Sequence, residues 1–167
     1  MDIDLILDAM NRHHVAYLLL GGVNFLLRHT PVVTFDVDLW IADTPENLAS
    51  CEHALAEVGA TWGPTENQWQ PVADLKSGWI ARQSVFCMTS PHGPIDIFRS
   101  VRGLDDWATC RSRAEAGTTA AGTPYLGISD RDMLQCQLAL PEPERKLDRI
   151  RILEKSIARV QNEPRSG

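Results

Sequence analysis

The chain reads as a mixed α/β fold, a central β-sheet flanked by helices, and three features of the sequence lead there. Residues 17–41, YLLLGGVNFLLRHTPVVTFDVDLWI, run an apolar strand, a glycine turn, a short helix and a second strand together. A further apolar strand, 94–98, carries Asp96 between Ile95 and Ile97. Stretches with helical spacing stand at both ends, Ile3, Ile6, Leu7 and Met10 in one, Leu147, Ile150, Leu153, Ile157 and Val160 in the other. With no internal repeat and no linker between them, residues 1–161 are expected to form one α/β unit, and 162–167 a frayed tail.

Taken in order, residues 2–13 predict the first helix and 15–20 the first strand. His13 and His14 are neighbours on a segment becoming extended, so their side chains diverge, and a helix-end or solvent position is expected rather than a shared metal. Gly21-Gly22 then opens a helix to Arg28, with Val23, Leu26 and Leu27 on the sheet, and 32–41 make the second strand. Thr44-Pro45 marks a helix start, a hydroxyl cap followed by proline in the first turn. Leu48, Cys51, Leu55 and Val58 are its inward stripe, and Gly59 ends it.

From 61 to 81, Trp62, Trp69 and Trp79 alternate with Gly63, Pro64, Pro71 and Gly78, which predicts loops and short strands. Strands at 79–88 and 94–98 are joined by the turn 89–93. A helix is expected over 104–116, a hairpin over 118–126 around Ala121-Gly122, and a helix capped by Ser129 with Asp132 three residues on. Pro141 and Pro143 separate it from the last helix.

Candidate chemistry gathers in the 17–41 stretch. On a strand, residues two apart share a face, so Asp36 and Asp38 project together while Val37 and Leu39 face the core. Like charges held so close are tolerated when a cation sits between them. Gly21 and Gly22 lack Cβ atoms, so backbone N–H groups can approach a ligand, and the helix behind them turns its positive end the same way. A phosphate held beside a divalent metal suits this unit. Asp-x-Asp alone also describes an edge strand with surface aspartates; the glycine turn and Asp96 favour the metal reading. Asp96 has a competing explanation, a salt bridge to Arg99 or Arg82. Arg28 and His29, at the far end of the helix, either complement its dipole or contact a ligand.

Composition narrows the partners. Hydrophobic content of 44% and charged content of 23% fit a soluble globular protein, and no run approaches the roughly 18 apolar residues of a membrane span. The acidic start MDIDLILD is unlike a signal peptide, so a cytoplasmic location is expected. A net charge of −6 argues against a grip on long DNA. Cys51, Cys87, Cys110 and Cys136 have no paired spacing, so buried reduced thiols are expected rather than a zinc site or disulfides.

Leu20-Gly21-Gly22, thirteen residues, Asp36-Val37-Asp38-Leu39 and then Ile95-Asp96-Ile97 together resemble the nucleotidyltransferase superfamily of the DNA polymerase β type. Thr34, the run 127–134 and Arg145-Lys146-Leu147-Asp148 are similar to its small AbiEii-type or MenT-like members, many of them toxins of toxin–antitoxin pairs. Two positions depart from that pattern: Val32 stands where those relatives often carry Arg, and Gln137 in a helix where they carry Lys. The resemblance implies Mg²⁺ or Mn²⁺ on Asp36, Asp38 and Asp96, and an NTP held by Gly21, Gly22, Thr34, Arg28, Arg145 and Lys146. It further implies transfer of a nucleoside monophosphate to a hydroxyl of an RNA, a protein or a small molecule, with an antitoxin as partner in the toxin case. The alternatives are an aminoglycoside-type small-molecule transferase and a non-catalytic nucleotide- or protein-binding relative.

Overall fold

Strands that are apolar on both sides need helices over both faces of their sheet, and the arrangement observed meets that need. The computed structural model describes residues 1–162, the side chain of Glu66 excepted. Its strands are β1 (Tyr17–Leu19), β2 (Val37–Ile41), β3 (Thr61–Trp62), β4 (Gln70–Pro71), β5 (Val85–Met88), β6 (Ile95–Phe98), β7 (Glu115–Thr118) and β8 (Pro124–Gly127). Its helices are α1 (Ile3–Arg12), α2 (Gly21–Arg28), α3 (Pro45–Glu57), α4 (Trp107–Ser112), α5 (Asp130–Ala139) and α6 (Leu147–Asn162). Six strands form one mixed sheet in the order β5-β6-β2-β1-β8-β7, and β3 and β4 pair separately. β2 lies antiparallel to β1 and parallel to β6, β8 lies parallel to β1, and the edges β5 and β7 are antiparallel to their neighbours.

Alternation along the central strands sorts their side chains into two cores. Leu19, Val37, Leu39, Ile41, Ile95 and Ile97 meet α1 and α3 on one face. Leu18, Leu20, Trp40 and Phe98 meet Cys110, Met133 and Leu153, from α4, α5 and α6, on the other. Buried polar side chains then pin the ends of the elements. The Asn47 amide accepts from the Ala16 N–H and donates to the carbonyls of Ala16 and Ala42, which ties the approach to β1 to the exit from β2. Asn24 donates to the Ile128 carbonyl and so fastens α2 to the end of β8. Among the described residues no helix is long and apolar enough to cross a membrane.

Several elements differ from their sequence patterns for reasons the packing supplies. β2 begins at Val37, not at 32, because its neighbour β6 starts opposite it at Ile95 and nothing pairs with the extended segment before it. Residues 79–82 coil into a single 3₁₀ turn instead of a strand: Glu52 accepts the N–H groups of Gly78 and Ile80, and Trp79 is drawn into the core against Trp62 and Phe86. The helix expected over 104–116 shrinks to α4, since Glu115 onward pairs with β8 and sheet pairing overrides local propensity. On α2, Phe25 is buried and Leu26 is exposed, because the helix stands at the sheet's end and sends Val23 into one core and Phe25 into the other. Only the middle of α6 is buried, at Leu153, which leaves Leu147 and Val160 in solvent. Cys51 and Cys110 are buried as expected, whereas Cys87 is exposed on β5. Of the expected tail, 162–167, Asn162 is instead the last residue of α6, and 163–167 lie outside the described residues.

Candidate active site

The parallel register of β2 and β6 sets Asp38 directly opposite Asp96. Asp36 lies two residues before Asp38 on the same side, and one oxygen from each of the three carboxylates lies within 4.8 Å of the others. They occupy the sheet face that carries Trp40 and Phe98, at the point where the covering helices end, and each is half-buried. Among the described residues none has an ion-pair partner. The competing explanation for Asp96 fails: neither Arg99 nor Arg82 pairs with it among the described residues, and Arg99 is held instead by Asp43 at 2.9 Å and by the Ala81 carbonyl at 2.7 Å.

Asp38 and Asp96 feel the charge of their neighbours. Burial, then the charges of Asp36 and Asp96, push the Asp38 carboxyl up to about 7, with Arg149 acting in the opposite direction. Burial and Asp36 also raise Asp96, opposed by a hydrogen bond from the Cys87 thiol. Cys87 faces Asp96 across the β5–β6 pair, and loss of solvent and the Asp96 charge push its thiol up to about 11. The group is short of positive charge. Hard oxygen donors in threes, accessible from one side, suit Mg²⁺ or Mn²⁺, so the donor set fits a divalent ion.

The glycine turn closes against these carboxylates. The Leu20 N–H donates to the Asp38 carbonyl at 2.9 Å, and the chain then turns through Gly21 at φ +61°. A Cβ on Gly21 would fall 1.8 Å from Asp38 Oδ2, and one on Gly22 would fall 2.5 Å from Thr34 Oγ1. Only glycine fits both positions. Thr34 in turn brings its hydroxyl to within 3.4 Å of the Asp36 carbonyl oxygen, so turn and metal segment brace each other. No side chain caps the start of α2, and its first N–H groups face the same space.

Thus Gly21, Gly22, Thr34, Asp36, Asp38 and Asp96 come together, and the predicted cations do not join them. Arg28 lies two turns along α2, roughly 10 Å from the glycines by helix rise. There it pairs with Asp130 at 2.8 Å and Glu115 at 2.5 Å. Arg145 donates to the carbonyls of Leu140 and Leu138 and shapes the loop between α5 and α6. Lys146 is exposed, and its backbone N–H donates to Gln137 Oε1. The cation that does reach the site is Arg149, which lines a narrow cleft with Gly21, Phe25, Cys136, Gln137 and Leu153. Sequence reasoning passed over it, although a signal existed: Arg149 stands four residues before the buried Leu153, on the inward face of its helix. On the opposite flank of the carboxylates, Cys87 and Val85 are exposed on edge strand β5. Val33 and Phe35 are exposed on the segment leading to Asp36.

The architecture is that of the nucleotidyltransferase fold. A crystal structure of ANT(2")-Ia in complex with adenylyl-2"-tobramycin superimposes with a TM-score of 0.60 at 14% identity, covering 95% of this chain and 89% of that one. A solution structure of the antibiotic-resistance factor ANT(2'')-Ia gives 0.58 at 14%, covering 93% and 82%. A protein from Thermotoga maritima, provisionally described as a nucleotidyltransferase, gives 0.51 at 17%, covering 95% and 89%. No family model and no curated protein matches the chain. At these identities the likeness is one of fold.

Proposed function

We propose that this protein is a metal-dependent nucleotidyltransferase that joins the nucleoside monophosphate of an NTP to a hydroxyl of a small, cationic acceptor and releases pyrophosphate. The observation that carries this reading is the convergence of Asp36, Asp38 and Asp96 within 4.8 Å, beside a glycine turn whose Cβ-less backbone faces them. A divalent ion bound there supplies charge neutralisation at the phosphates and acidifies the acceptor hydroxyl. Asp36 and Asp38 hold it, and Asp96 completes its donor set from the neighbouring strand and takes the hydroxyl proton. Gly21 and Gly22 donate backbone hydrogen bonds to the terminal phosphates, which leave as pyrophosphate. In this reading the glycines, on the β1 side of β2, put the nucleotide on that flank and leave the β6–β5 flank to the acceptor.

Two facts favour a small cationic acceptor. The chain is acidic, at −6, and one structure with its fold was solved with an adenylylated tobramycin. A second reading has one observation of its own. On the exposed face of α6, Arg151, Lys155 and Arg159 recur every four residues, a basic stripe that suits an RNA acceptor and so a toxin of a toxin–antitoxin pair acting in the cytoplasm. Expression in cells separates them: raised aminoglycoside resistance at normal growth supports the first, and growth arrest relieved by an adjacent gene supports the second. The chemistry is tested by incubating the protein with each labelled NTP and Mg²⁺ or Mn²⁺ beside an Asp36→Asn/Asp38→Asn double variant. Metal-dependent labelling by the wild type alone is the expected result, and equal labelling by both ends the enzymatic claim.

A further inference from the structure

Arg149 is set apart from the other partly buried arginines. Arg28, Arg99, Arg113 and Arg145 are each held by carboxylates or backbone carbonyls. The Arg149 guanidinium has no ion-pair or hydrogen-bond partner among the described residues. It stacks on the Phe25 ring with its central carbon 5.5 Å from the centroid. One of its terminal nitrogens lies 3.5 Å from the point where a Cβ on Gly22 would sit. It shares a cleft with Gly21, whose other side lies against the Asp38 carboxylate, so guanidinium and carboxylate flank the same turn. A guanidinium stays charged at any pH the protein tolerates, and stacking on an aromatic face leaves its N–H edge free to donate.

We propose that Arg149 couples metal binding to nucleotide binding: it balances Asp38 while no metal is present and turns to the phosphates when a metal–nucleotide complex enters. This rests on the nucleotidyltransferase reading above. A divalent ion arriving alone meets a fixed positive charge beside its ligands, which weakens its binding. Phosphates between Gly22 and Arg149 give that charge an anionic partner and remove the repulsion. Linkage makes the effect mutual, so the metal also tightens the nucleotide.

Removing the charge must therefore move two affinities in opposite directions. The full chain is titrated with Mn²⁺ by calorimetry and by the loss of free-ion EPR signal, without and with α,β-methylene analogues of the four NTPs. In Arg149→Gln, Mn²⁺ alone is expected to bind about three- to tenfold tighter, the scale of one unit charge removed across a wet cleft. Binding of the Mn²⁺–analogue complex is expected to weaken about tenfold or more, the scale of one lost charge-assisted phosphate contact. Arg149→Lys keeps the charge without the planar stack and is expected to keep wild-type Mn²⁺ affinity while losing part of the analogue binding. A residue that merely braces α6 would weaken both together. Parallel loss of both in Arg149→Gln, or no change in either, overturns the inference while leaving the proposed activity standing. Absence of any Mn²⁺ binding by the wild type, or binding undiminished in Asp38→Asn, overturns both.

Discussion

The two flanks of the carboxylate cluster are built to different tolerances. On the β1 side, backbone and side chains interlock: Gly21 holds φ +61° with no room for a methyl group, Gly22 meets Thr34, and Leu20 is tied to Asp38. On the β6 side the sheet simply runs to an open edge at β5, where Cys87 and Val85 face solvent. Under the proposed activity the difference has a use. A phosphate chain is the same in every NTP, so the first flank would need to be shaped only once. Acceptors vary, and a flank of exposed side chains could change without disturbing the carboxylates.

The sharpest way to break this comparison is one methyl group on each flank. Gly21→Ala places a Cβ inside the van der Waals radius of Asp38 Oδ2 and on a strained backbone angle, so turn or carboxylate must move. Transfer is expected to fall about 100-fold or more, the usual consequence of a misplacement near 1 Å at a reacting centre. Far-UV circular dichroism is expected to show the helical signal retained. Cys87→Ala, on the open side, is expected to change nucleotide affinity by less than about threefold, since an exposed substitution removes little. Comparable losses from both variants would dissolve the distinction.

The same contrast explains what could be read in advance. Asp36, Asp38, Asp96 and the glycines were legible because strand alternation and the absence of a Cβ are local rules, and the sheet's register then had one way to unite them. Arg149 was not, because its place depends on how α6 packs on α5 and so reaches Phe25 of α2, a packing decision made between residues far apart in sequence. Arg145 and Lys146 stand out by charge and proximity in sequence, but the Arg145 side chain donates to the α5–α6 loop and Lys146 is tied to Gln137 only through its backbone N–H. The strand expected from 32 was misjudged in the same way: its alternation is real, but no partner strand reaches it. On the open flank little was legible beyond Asp96, since exposed edge positions carry few physical constraints.

A second prediction sharpens the electrostatic side of the comparison. Asp38 has its folded-state pKa raised from 3.8 to about 7. Between those values the folded chain retains a proton that the unfolded chain has released, so the stability of the metal-free protein falls as pH rises through that window. Asp38→Asn removes the titration, and at pH 8 without metal the variant is expected to melt about 4–8 °C above the wild type, corresponding to about 2 kcal/mol. That is roughly half of the full linkage energy, because solvent reaches this half-buried carboxyl. The gap is expected to narrow as pH falls and to close below the unfolded-state value of 3.8, where Asp38 is protonated in both states. Added Mg²⁺ is expected to stabilise the wild type more at pH 8 than at pH 5, because the ion competes with protons for the same oxygens. A wild-type melting temperature unchanged between pH 4.5 and 8 would show that the carboxylates do not load one another as their spacing implies.

The smallest effect concerns the Cys87 thiol, and its sign is informative. Pushed up to about 11, the thiol is almost wholly protonated near neutral pH and should alkylate slowly despite its exposure. The Asp96 charge contributes to that rise, so a cation on the carboxylates should relieve it and speed the reaction about tenfold for each unit by which the pKa falls. Iodoacetamide labelling followed by peptide mass spectrometry, with and without Mg²⁺, measures this directly. If the acceptor lies over β5, blocking Cys87 with a bulky maleimide is expected to cut transfer while leaving nucleotide-analogue affinity within about twofold, the small change typical of an exposed site apart from the ligand. Slower labelling in Mg²⁺ would mean that the sulfur is drawn toward the metal, and the open flank would then share the metal-binding role assigned here to the carboxylates alone.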